Sequence, residues 1–144
     1  MTVTSPPARS SAGRTVGELA LAGAAATVGS GIVNTAIALI ARAAGASDSF
    51  QPLWPSAYLP LTVLGVLAGA IGWQIVRRRA KDPAAVLRWL APTVVALSLI
   101  PDIAVGIANN DPGVSWGAVA ALMLMHLAVA AVAVPIYRRF MPLH

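Results

Sequence analysis

Three ionisable side chains lie inside long apolar runs of this sequence: Glu18, Asp102 and His126. A carboxylate and an imidazole are the two groups that most readily exchange a proton near neutral pH, one as acid and the other as base. What they do depends on whether water or lipid surrounds them. In a bilayer an Asp costs about 2.5 to 3.5 kcal/mol to insert, so each such residue is a functional candidate or one half of an interhelical tie.

Composition points to lipid. Of the 144 residues, 58% are hydrophobic and 10% are charged, where soluble domains carry roughly 25% charged residues. There is no cysteine, which excludes disulfides, thiolate metal sites and cysteine nucleophiles. The net charge of +5 is spread over loops without interleaved aromatics, so no nucleic-acid partner is expected. The sequence also lacks a phosphate-binding glycine loop, GxSxG and HExxH.

Four segments are apolar over the length of about 20 residues that a helix needs to cross hydrocarbon: residues 16–41, 58–76, 89–108 and 116–137. None alternates with the period of two that a barrel strand requires. The expected fold is all-α, an integral membrane four-helix transmembrane bundle over residues 15–139. Residues 1–14, rich in Ser, Pro, Gly and Arg, read as a disordered basic tail. Residues 140–144 read as a short one.

Direction follows from the cations. Arg9, Arg14, Arg77, Arg78, Arg79, Lys81, Arg88, Arg138 and Arg139 fall on one side of the four spans and Arg42 on the other. Lys and Arg are retained inside during insertion, so both termini are expected to be cytoplasmic and the protein to sit in the cytoplasmic (inner) membrane. Phe50, Trp54, Tyr58 and Trp116 are candidate interfacial anchors on the far side. A cleaved leader ending near Ala44 to Ala46 is disfavoured, because the first apolar run is longer than an h-region of about 7 to 15 residues.

The spans must then position the ionisable pair. At 1.5 Å per residue, Asp102 lies about 9 Å below the outer end of the third span and His126 about 15 Å below that of the fourth. Helical side chains lean toward their own N-terminus, and these two spans run in opposite directions, so the pair leans together. Asn34, Tyr58, Thr62 and Ser98 fall at related depths, which predicts an outward-facing polar pocket. Pro101, which lacks an N–H, is expected to bend the helix beside the acid. Glu18 reads as a boundary residue near a helix N-terminus.

Small residues mark where helices touch in lipid. Gly23, Thr27 and Gly31 on the first span and Gly65 and Gly69 on the second are the expected packing faces, within the bundle or between copies. "MLMH" at Met123 to His126 offers soft copper ligands, yet only Met123 and His126 share a helical face, and packing is the better reading. No metal or cofactor is expected. The cluster "RRRAK" marks the inside, with a secondary attraction to anionic lipid headgroups.

The second half, with "PD" at Pro101 and Asp102, "MH" at Met125 and His126 and "AVAVP" ending at Pro135, resembles a family of small four-helix actinobacterial membrane proteins known only as a domain of unknown function. The resemblance implies a four-helix membrane domain and no reaction. Two functions are therefore expected to compete. In one, Asp102 and His126 form a site that binds or transforms a small or lipid-like molecule, as acid and proton partner. In the other they are an interhelical pair in an accessory subunit of a homo-oligomer or larger membrane complex.

Overall fold

A computed structural model of the chain describes residues 11–143. They form α1 (Ser11–Ala43), α2 (Pro55–Arg79), α3 (Pro83–Ser98), α4 (Ile100–Ala108) and α5 (Trp116–Phe140), with a short 3-10 turn at Gln51–Leu53. Four helical stretches are long and apolar enough to cross a membrane: Ala12–Ala43, Pro55–Arg79, Pro83–Ala108 and Trp116–Phe140.

The observed helices are longer than the apolar runs. Residues 11–14, expected in the tail, are the first turn of α1; residues 1–10 lie outside the described residues. Arg77, Arg78 and Arg79, expected in a loop, close α2, where cations offset the negative end of the helix dipole. The connection shrinks to residues 80–82, because Asp82 caps α3 by accepting from the Ala85 N–H at 2.9 Å and Pro83 follows at the first helical position. At the other end, Met141 is fully buried and Leu143 packs against the same cluster, so the expected C-terminal tail is bound to the bundle. His144 lies outside the described residues.

Three helices make the core. α1 buries Ala22, Ala26, Ser30, Asn34 and Ala38, one residue every four, and α2 does the same with Tyr58, Thr62, Val66, Ala70 and Gln74. Stripes at this spacing form the ridges that pack helix against helix. The α1 stripe is made of small residues, so α5 approaches it closely: a Cβ on Gly29 would stand 2.9 Å from Val132 Cγ1. α5 contributes Ala118, Leu122, Met125, Ala133 and Tyr137.

The third span stands apart. Only 6% of its most apolar stretch is buried inside the molecule, against 22% to 28% for the other three. It is also two helices rather than one. Pro101 offers no N–H and its ring crowds the preceding turn, so α3 ends at Ser98, Leu99 makes a long 3.3 Å bond from its N–H back to Ala96 O, three residues earlier, and α4 restarts at Ile100.

The outer connections are built rather than loose. Between α1 and α2, Gly45 turns the chain at φ +99°, and Phe50 and Leu53 are buried against Ala38, Tyr58 and Leu122. Arg42 donates to Leu53 O at 2.8 Å and lies over the Trp54 ring. Of the four expected interfacial aromatics, Trp54 and Trp116 are exposed, while Phe50 and Tyr58 are buried in the bundle. Gly113, at φ +73°, lies so close to Ser47 that a Cβ would clash at 2.7 Å or less with its side chain.

Candidate functional site

α4 and α5 meet through the expected pair. Asp102 Oδ2 lies 2.9 Å from His126 Nδ1, and the same nitrogen is 3.0 Å from Leu122 O, one turn earlier on α5. A carbonyl only accepts, so the bond to Leu122 assigns the proton of a neutral ring to Nδ1 and its lone pair to Nε2. The proton points at Leu122, and Oδ2 of Asp102 is buried without an aligned donor of its own. Its approach to the imidazole becomes an ion pair only when the ring is protonated. The ring is not enclosed: the His126 side chain is 41% exposed, against 10% for Asp102. Nε2 makes no hydrogen bond within the described residues. The unit is thus a buried carboxylate beside a part-exposed imidazole whose Nε2 makes no hydrogen bond among the described residues.

The other polar candidates form a second unit, on α1 and α2. Asn34 donates from Nδ2 to Thr62 Oγ1 at 2.9 Å, Thr62 donates to Tyr58 O at 2.8 Å, and the Tyr58 hydroxyl donates to Thr35 Oγ1 at 3.1 Å. Thr35 completes the chain by donating to Gly31 O. Asn34, Thr62 and Tyr58 are buried, so in lipid these bonds act as glue between two helices. Ser98 joins neither unit. It closes α3 and donates to Val95 O, and the break at Leu99 separates it from Asp102, so the polar stripe expected along the third span is not continuous.

A shallow groove of about 420 Å³ lies between α1 and α2, lined by Thr27, Val28, Gly31, Ile32, Thr35 and Leu59. Its lining includes Thr35 of the polar chain but neither Asp102 nor His126.

The glycines divide in the same way. Gly23 and Gly31 face Leu67 and Leu59 of α2, whereas Gly69 lies under the Tyr137 hydroxyl of α5 and Gly65 has no neighbour within 4 Å of a Cβ position. Glu18 is joined to Arg77 at 2.9 Å, tying the start of α1 to the end of α2.

Four polar residues escaped the sequence reading. Thr35 sits beside Asn34 and receives the tyrosine. Trp73 donates from Nε1 to Met141 O at 3.0 Å, locking the ends of α2 and α5 together. Ser30 and Gln74 are buried with Ser30 Oγ and both Gln74 amide atoms unpartnered. Gln74 had a visible signal, an amide inside an apolar run one turn before three arginines. Trp73 had none, since its partner is a backbone carbonyl 68 residues away.

Four spanning helices, polar ties between them and an ionisable pair within them define a multi-pass α-helical membrane protein. The chain belongs to the family of unknown function DUF6069, whose model matches residues 14–142. No match was found among curated proteins or among solved structures.

Proposed function

We propose that this protein resides in the cytoplasmic membrane with both termini inside, and that its Asp102–His126 pair handles a proton for a small, lipid-like molecule that reaches it from the bilayer. The carrying observation is the half-open imidazole: Nδ1 is held by Leu122 O beside Asp102, and the His126 side chain is 41% exposed. In such a pair the imidazole meets the ligand as base or proton donor, and the carboxylate behind it orients the ring and stabilises its charged form. Exposed apolar side chains, Leu124 and Leu127, flank His126 in sequence and give α5 a lipid-facing surface on either side of the ring, which suits a ligand with a polar head and an aliphatic body. Orientation is supported by the arginines and lysine gathered at the end of the bundle where α1 begins and α5 ends.

The test uses a photoactivatable diazirine fatty acid in nanodiscs. Labelling of peptides from α4 and α5 is expected in the wild type and is lost in His126→Gln and Asp102→Asn, with the melting temperature near that of the wild type. Labelling unchanged in both variants while both melt earlier would overturn the reading and leave the pair as a helix tie.

A second reading, an accessory subunit, is favoured by one observation: α3 leaves Trp89, Val94 and Leu97 uncovered along a span that the bundle hardly touches. A stable partner that co-purifies and is lost on Trp89→Ala and Leu97→Ala together would favour it.

A further inference from the structure

We infer that the basic end of the bundle is a binding surface for the phosphate headgroups of anionic phospholipids, formed where the α2–α3 connection meets the end of α5. Cross-helix contacts bring the cations to one level. Arg77 reaches Glu18 of α1, and Trp73, one turn before Arg77, donates to Met141, just beyond Arg138 and Arg139. Among the described residues this end holds eight cations against two carboxylates. Both carboxylates are engaged, Glu18 by Arg77 and Asp82 by the backbone of α3.

Arg14, Arg78, Arg79, Lys81, Arg88, Arg138 and Arg139 are therefore left exposed, with no ion pair among the described residues. The opposite end differs in kind. Its one cation, Arg42, is spent on Leu53 O and the Trp54 ring, and Asp48 and Asp111 share that end. One turn deeper than Arg78 on the same face of α2, the buried Gln74 amide holds an unspent donor.

The occupant follows from where the charges stand. Apolar helices fix this end at the edge of the hydrocarbon, the level of lipid phosphates, and arginine forks match phosphate oxygens in pairs. Basic surfaces between helices at the inner leaflet are where anionic headgroups bind. A topological role in insertion requires only that the cations stay inside; it does not require the α2–α3 connection and the α5 end to be joined at one seam, as Trp73 joins them.

Native mass spectrometry of the full chain tests this, with equal amounts of phosphatidylglycerol and phosphatidylcholine of matched acyl chains. Preferential retention of phosphatidylglycerol is expected, weakened about fivefold for each cation neutralised in Arg79→Gln and Lys81→Gln and by raised salt in the wild type, with Arg42→Gln unchanged. Equal retention of the two lipids, an equal loss in Arg42→Gln, or stabilisation by inorganic phosphate as strong as by the lipid would each overturn the inference. The salt series on the wild type decides the matter if either variant fails to fold.

Discussion

The three-helix core and the third span are built from equally apolar sequence and are treated oppositely by the fold. Mean hydropathy over the most apolar window is 1.7 for the first span and 1.9 for the third, yet the buried share falls from 22% to 6%. The difference lies in side-chain size along one face. α1 offers Ala22, Ala26 and Ser30 at four-residue spacing, so α5 lies close against it, while α3 buries only Pro83 and Leu87 near its start and meets the bundle with no such stripe. In lipid apolarity itself drives no association, and close backbone approach decides which helices become the core.

The largest test of this contrast is at the outer plug. Phe50→Ala empties a fully buried site under the core helices and is expected to cost about 3–5 kcal/mol, the usual range for deleting a buried phenyl ring. Thermal unfolding in one detergent measures it; a change near zero would mean the plug is not part of the core. Next comes the seam itself. Ala26→Leu adds bulk at a position with no exposed surface and should cost about 1–3 kcal/mol by overpacking, whereas the same change made in α3 at exposed Ala96 should not register.

Smaller effects separate the polar units. Thr62→Val keeps the shape but removes the acceptor of Asn34 and the bond to Tyr58 O; a loss of about 0.6 kcal/mol, at most about 1.7, is expected from interhelical bonds in membranes. A double-mutant cycle with Asn34→Ala measures it. Smallest is Trp89→Ala, which removes a ring 70% exposed and should change stability by less than about 0.5 kcal/mol. A larger loss would show that a partner covers the third span even in detergent.

The number of spans and the segregation of cations were legible because length, hydropathy and loop charge are local properties. The pairing of Asp102 with His126 was legible too, since depth and side-chain lean follow from helix rise and direction alone. What misled was treating depth as proximity. Asn34, Tyr58 and Thr62 share a depth range with the pair, but they spend their hydrogen bonds on one another between α1 and α2. Ser98 was placed on a stripe that assumes one continuous helix, and the bond geometry around Pro101 ends α3 at that residue.

Sequence alone thus determined that this chain consists of four spanning helices with a basic end and an acid–imidazole pair within the apolar spans, because each of those is a property of one segment and its flanks. Tertiary structure decided which three helices close the core, that the third span is broken and peripheral, and that His126 is part exposed with Nδ1 on Leu122 O while Asp102 is buried beside it. Those depend on which small residues line up across two helices and which carbonyl a ring nitrogen meets, and no single segment carries that information.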